Sequence, residues 1–553
     1  MGNKIIKDSV HGYIEVLPNF SKIIDTEEFQ RLKWIEQGSF RVLYPAARHD
    51  RFIHSLGTYY LATKIAPNFI ANIKEDLNIQ IDNEQEELIC NTFYYASLLH
   101  DIGHAPFSHT TECFFKSKLR NGNVKINGEE ISEKLIDEIY NINANNIERF
   151  IKEFKGIKPA AHEIISATIL VQKANDFLGH NCNRLVDLEL AARMVIGCTY
   201  DYNGEKELGL SEKNLLGIKN CFIRLLNSKT VDVDKLDYIT RDTQMSGFFN
   251  VPIDIERLTR SVTAITIDNG WIYPAFRKNA LSVIDNVFRA KSEQGLWMVS
   301  HPIVTYDSRL REICIKSLNK YINEEYITNV FSLESLSSEG IEFNNKKYRL
   351  LNDSDISSDL KIYYEKDELI RELYNRNNRR KPIWKSYFEY KHLFNQEGKY
   401  DDSQISMYFN PLINYMKNND YFVLNSDLVK SILDSDNAQD EVKRIVRFIK
   451  KFSADNNIEL NYVIISTSNS FGAKFDPKKV YIYFNNLPKR ENRSYESYEF
   501  LRSGGASTAI GNENSQGKEF FYLFSKEKFT ENQIEKLRDA VFEQLGREEI
   551  DRA

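Results

Sequence analysis

Apolar residues recur at helical spacing along most of this chain. Between Thr26 and Glu36, Phe29, Leu32 and Ile35 fall on one face behind an Asp25-Thr26 cap. Residues 54–74 repeat the pattern. Apolar positions 88, 89, 93, 96 and 99 predict a buried helix face that delivers His100 and Asp101 at its end, with Pro106 closing the helix. A charged, Asn-rich span over 117–158 reads as a helical excursion. The apolar pattern then resumes from Pro159 to Val171 and predicts further helices over 184–198, 211–227 and 232–245. Strand signals near 263–275 precede a predicted long helix from about 280 to 320. Beyond a composition shift near 335–350, the pattern predicts a charged helix at Glu365–Asn375 and a basic linker at Arg376–Lys385. Strands follow at 463–466 and 480–483, then a Gly/Ser/Asn loop at Ser503–Gly517 and a closing helix at about 530–545. The fold expected is mainly α, a helical core with a smaller C-terminal α+β region, divided as 1–335, 336–455 and 456–553.

Composition narrows the class. The 553 residues exceed one core, and 34 Phe and 30 Tyr supply ample apolar material. A net charge of -6 gives no general support for a nucleic-acid partner. No stretch of about 18 uninterrupted apolar residues is present, so no membrane span is expected. Met1-Gly2-Asn3-Lys4 lacks the apolar run of a signal peptide. None of the six cysteines forms a Cys-x-x-Cys pair, which fits a reduced, cytoplasmic setting.

The chemistry concentrates in Leu99-His100-Asp101-Ile102-Gly103-His104-Ala105-Pro106-Phe107-Ser108-His109. Three of the ten histidines lie between positions 100 and 109. A neutral nitrogen donor beside an anionic oxygen suits a divalent metal. His54, in Arg51-Phe52-Ile53-His54-Ser55-Leu56-Gly57, and Asp234, in Val231-Asp232-Val233-Asp234-Lys235-Leu236-Asp237-Tyr238, offer the same donor types. Spacing alone does not join them to one site. On a helix, Asp234, Tyr238, Arg241 and Asp242 form one stripe.

These fragments, with Asp8-Ser9-Val10-His11-Gly12-Tyr13-Ile14 and Asp25-Thr26 through Phe29-Gln30-Arg31-Leu32, stand in the order found in the HD-domain phosphohydrolases. The chain resembles that family over roughly residues 4–310, and within it the deoxynucleoside triphosphate triphosphohydrolases, both bacterial dGTPase-like and sterile-alpha-motif-linked. The resemblance implies an HD-domain helical core and one divalent ion (Mn, Fe, Mg or Zn) on His54, His100, Asp101 and Asp234, with additional Mg arriving on the nucleotide. It implies His109, oriented by Glu112, as proton donor, and His162 as a further active-site histidine. Gln37, Arg51, His104, Lys235, Tyr238, Asp242 and Lys291 become substrate contacts. Lys4, Asp25, Gln30, Lys33 and Arg257 become an activator site between the subunits of a dimer or tetramer.

The expected reaction hydrolyses a deoxynucleoside triphosphate to a deoxynucleoside and inorganic triphosphate. The alternative is an HD-type phosphomonoesterase or phosphodiesterase acting on another nucleotide or on nucleic acid. The departures bear on that choice. Lys291 stands where relatives carry a phosphate-binding arginine, which keeps charge without the bidentate fork. Val299 stands where they carry a tyrosine. Lys33 replaces an arginine and Lys7 an asparagine in the activator set.

Overall fold

Asp50 caps the helix Arg51–Leu77 by accepting the Ile53 N–H, and Asn78 ends it in the left-handed conformation. The helix Asn83–Leu99, capped by Asp82, packs alongside. Phe69 and Phe93, one from each helix, both meet Phe222 of the helix Leu210–Leu226 edge-on, with ring centroids 5.2 and 5.1 Å apart. The helices Ala161–Gln172, Leu188–Ile196 and Val233–Ser246 complete this core. The computed structural model describes residues 2–118, 129–180, 182–202, 209–248, 251–267, 270–395, 400, 402–468, 476–488, 493–502 and 519–552. Among them the protein is mainly helical, and no helix is long and apolar enough to cross a membrane. All six cysteines are free thiols.

The chain forms two units, each assembled from separate stretches. The first comprises Met1–Lys291, Ile322–Ser358 and Ala473–Asn512. The second comprises Ser292–Tyr321, Asp359–Gly472 and Glu513–Ala553. This division differs from the consecutive segments 1–335, 336–455 and 456–553, and strand pairing gives the reason. Tyr481–Tyr483 lies parallel to Ile272–Arg277, which also pairs with Val262–Thr266, so C-terminal residues complete a sheet of the first unit. Asn461–Ser468 instead pairs antiparallel with Glu519–Ser525 in the second.

Several local expectations are corrected. Only Glu27–Arg31 of the Thr26–Glu36 stretch is α-helical. A tighter turn follows at Leu32–Trp34, and the chain then extends so that Glu36 bridges Asp50. The helix carrying His100 stops at Leu99, well before Pro106, because the Ile102 and His104 amides turn back onto the carbonyls of Leu99 and Asp101. The 280–320 helix is two, Leu281–Gln294 and Pro302–Tyr321, separated by a wide π-type turn at Gly295–Val299. Pro302 has no N–H with which to continue the first. The basic linker is not a linker. Arg380 is buried on Glu372 and Asn461, and Lys381–Pro382 pairs with Glu519–Ser525. The Ser503–Gly517 loop lies outside the described residues.

Gly57 sets how closely the helices Arg51–Leu77 and Val233–Ser246 approach. A Cβ there would stand 1.9 Å from Asp237 Oδ1 and 2.4 Å from Arg241 Nη2. Gly57→Ala is therefore expected to cost at least about 2 kcal/mol, from overpacking and a broken buried ion pair. A lowered unfolding midpoint in denaturant titration checks this; a midpoint at or above wild type contradicts it.

Candidate metal centre

Three elements deliver the expected ligands to one point. His54 sits in the first turn of Arg51–Leu77, His100 and Asp101 immediately follow Asn83–Leu99, and Asp234 lies in the first turn of Val233–Ser246. His54 Nε2 is 3.1 Å from Asp234 Oδ1, 3.3 Å from His100 Nε2 and 3.5 Å from Asp101 Oδ2. His100 Nε2 is 3.5 Å from both Asp101 Oδ1 and Asp234 Oδ1. Both rings are oriented from behind. His54 Nδ1 is 2.7 Å from Asp237 Oδ2, and His100 Nδ1 is 2.9 Å from the Ser97 carbonyl. With those nitrogens donating outward, both Nε2 atoms face the cluster, where loss of their protons would let each lone pair take a metal.

The electrostatics favour a cation at the centre. Burial pulls the His54 imidazole down, but Asp234, Asp237 and Asp101 outweigh it and hold it up to about 10. His100 is raised in the same contest, chiefly by Asp101. Burial opposes the charge on Asp234, yet His100 and His54 keep its carboxyl well below the usual range. Two imidazoles and two carboxylates at this spacing form a mixed N/O donor set suited to a divalent transition ion or Mg. The residues present therefore fit the metal implied by the sequence.

Much of what orients the ligands escaped sequence reading. Asp237 accepts from Arg241 and meets His54 on one oxygen and His11 Nε2, at 2.7 Å, on the other. Arg241 also reaches Asp8 at 2.8 Å, so it faces away from the stripe expected for it. Arg31 is buried and donates to the carbonyls of Ile102, His104 and Leu351. Burial, opposed by Asp353 and Glu28, lowers its guanidinium to about 10. The signal for Asp8, His11 and Arg31 lay in the N-terminal motif pieces, whose contact with the site no helical periodicity reveals.

Beside the ligands lies a second cluster. Glu112 Oε2 is 3.2 Å from His109 Nδ1, and Oε1 is 3.2 Å from His162 Nδ1 and accepts the Ala161 N–H at 2.9 Å. Burial disfavours the Glu112 carboxylate, but these two imidazoles hold it far below the usual range. His104 stacks on His162 with centroids 4.1 Å apart. Burial, and then Arg51, push its imidazole well below its ordinary value. His104 Nε2 lies 3.2 Å from Asp101 Oδ1 without hydrogen-bond alignment. His109 is half-exposed.

The remaining expected contacts divide. Arg51 is buried and donates to Asp101 at 2.6 Å, Ser108 Oγ and the Gln37 carbonyl. Gln37 Oε1 is buried without a hydrogen-bond partner. Asp242 meets His49 Nε2 at 2.7 Å. Tyr238 lies beside His54, and Lys291 Nζ stands 4.3 Å from its ring centroid. Lys235 is turned onto the Ser228 carbonyl and Asp232, inside its own helix cap. Lys4 pairs with Asp25, and Lys33 donates to Gln30, which donates to the Ile24 carbonyl. Arg257 is exposed on Ile255–Ser261 and makes no hydrogen bond or ion pair with those four.

Residues 51–179 match the HD domain family. The chain is 30% identical over 259 residues to deoxynucleoside triphosphate triphosphohydrolase SAMHD1 of Gallus gallus, covering 46% of this chain and 36% of that protein. It is 28% identical to the Homo sapiens protein of the same name over 269 residues, covering 48% and 37%. An uncharacterised protein of Methanocaldococcus jannaschii is 28% identical over 319 residues, covering 57% and 50%. The matches thus span half or less of the length of these relatives.

Asp237→Asn removes the anionic partner of His54 Nδ1 and leaves the four ligands in place. Isothermal titration with Mn(II) is expected to show affinity weakened about 10–100-fold. Unchanged affinity contradicts the orienting role.

Proposed function

Starting from a chain whose residues 51–179 match the HD domain family, we propose that it is a metal-dependent phosphohydrolase that cleaves deoxynucleoside triphosphates to deoxynucleoside and inorganic triphosphate. The observation that carries this reading is the meeting of two donor groups: His54, His100 and Asp234, with Asp101 3.5 Å from both imidazoles, beside the Glu112-held pair His109 and His162. A divalent ion on the first group supplies Lewis-acid polarisation of phosphate and a more acidic water.

The chain's own residues then have distinct tasks. His109, its Nδ1 held by Glu112, presents Nε2 to protonate the leaving sugar oxygen. His104, kept neutral, can accept or donate a hydrogen bond without adding charge beside Asp101. Lys291 offers a point charge to the polyphosphate, and Lys235 can join it only by leaving Asp232. Tyr238 walls the sugar, and Asp242, oriented by His49, accepts from its 3′-hydroxyl. The orphaned Gln37 Oε1 supports a polar contact at the same edge, since a buried acceptor without a partner is costly. Lys4, Asp25, Gln30, Lys33 and Arg257 are proposed to bind an activating nucleotide in a homo-oligomer. The adjacency of Lys4–Asp25 to Gln30–Lys33 supports the first four.

The test is incubation with each deoxynucleoside triphosphate and Mn(II) or Mg(II), with products separated by charge. Inorganic triphosphate and nucleoside are expected; release of monophosphate, or cleavage of a diester alone, favours the other HD chemistries. Asp234→Ala is expected to lower turnover at least about a hundredfold, and wild-type turnover in that variant contradicts the assignment.

A further inference from the structure

We propose that Asp353 is a positioning residue of this centre, a strut that ties together the two loops flanking the ligands. The proposal rests on the phosphohydrolase reading only for its kinetic arm. Asp353 opens the helix Asp353–Ile362, and its two carboxylate oxygens are divided between distant segments. Oδ1 accepts the Phe107 N–H at 2.6 Å, and Oδ2 accepts the Glu36 N–H at 2.9 Å.

From there a continuous set of bonds reaches a metal ligand. The Glu36 carbonyl accepts from the Ser108 hydroxyl, and Ser108 Oγ accepts from Arg51 Nε at 3.0 Å. The other two guanidinium nitrogens of Arg51 donate to the Gln37 carbonyl and to Asp101. One carboxylate therefore fixes the peptide planes that place Arg51, which in turn places Asp101. It also holds the chain next to His109.

Two further observations mark this as a built device. Phe107 and Ser108 both adopt left-handed backbone, at φ 59° and 51°. Such conformations are strained in side-chain-bearing residues and persist only where surroundings hold them. In addition, Asp353 interacts electrostatically with the buried Arg31 guanidinium, and the two backbone groups bonded to its carboxylate are both N–H donors, so each needs an acceptor. A carboxylate satisfies the two at once, whereas the amide of Asn keeps one acceptor and sets an NH2 against the other donor. A residue serving merely as an acidic helix start would have no such requirement.

The experiment compares the full chain with Asp353→Asn, Asp353→Ala and, as a control on the same helix turn, the exposed Ser354→Ala. Amide hydrogen exchange in the peptides covering 34–40 and 104–112 is expected to accelerate about tenfold or more in both Asp353 variants, with the helix Asp440–Asp455 unchanged. In the dNTPase assay kcat is expected to fall about ten- to a hundredfold with KM little changed, Asp353→Ala being the more severe. Ser354→Ala is expected to behave as wild type. Wild-type exchange in both segments of Asp353→Ala overturns the proposal, as does an unchanged kcat. If Asp353→Ala does not fold, the isosteric Asn variant decides by the same readouts. A wild-type chain that turns over no dNTP defeats the functional reading, and the exchange result still decides the role of Asp353.

Discussion

The buried Asp237 carboxylate is the joint on which the centre depends. It lies within hydrogen-bond reach of His54, His11 and Arg241, and Arg241 passes the charge on to Asp8. A carboxylate in such a place is costly unless fully compensated, so its three partners are constrained together. Gly57 lets the two helices close on it. The consequence is functional: His54 has its tautomer and its ring plane fixed by the same charge that locks the helices. Ligand geometry and helix packing are thereby a single constraint, and neither can vary without the other.

The second constraint lies at the loops. The stretch from His100 to Thr111 has little regular structure, yet it supplies two of the expected ligands and two further histidines. Its shape comes from outside. Arg31 collects the carbonyls of Ile102 and His104, and Arg51 spans Asp101 and Ser108. Rigid helices hold His54 and Asp234, while buried guanidinium forks hold the irregular segment to them. Arginine suits this task because its planar fork can satisfy several acceptors at once.

The legibility of this protein in its sequence follows the range of each interaction. Helices with strong local periodicity, such as Asn83–Leu99 and Val233–Ser246, were readable because caps and apolar spacing are local signals. The four expected ligands were recognisable through a family pattern, and the structure places His54, His100 and Asp234 in one group with Asp101 3.5 Å from both imidazoles. What stayed hidden was long-range. Arg376–Lys385 looked like a basic linker, yet Arg380 is buried on Glu372 and Asn461. The strand Tyr481–Tyr483 looked like part of a separate C-terminal domain and instead joins Ile272–Arg277. Arg379, in the same basic segment, pairs with Asp307 72 residues earlier, and charge neutralised by so distant a partner cannot be told from exposed charge by composition. Lys235 shows the reverse case: its neighbour Asp232, three residues away, takes the ammonium that seemed free for phosphate.

The central claim is that His54, His100, Asp101 and Asp234 surround one divalent ion. Elemental analysis of the purified full chain after loading with Mn(II) and removal of excess tests it most directly. One equivalent per chain is expected for wild type, with less than about a tenth retained by the His54→Ala, His100→Ala double variant, since two of four ligands are gone. Equal metal in the two proteins, or none in the wild type, contradicts the account.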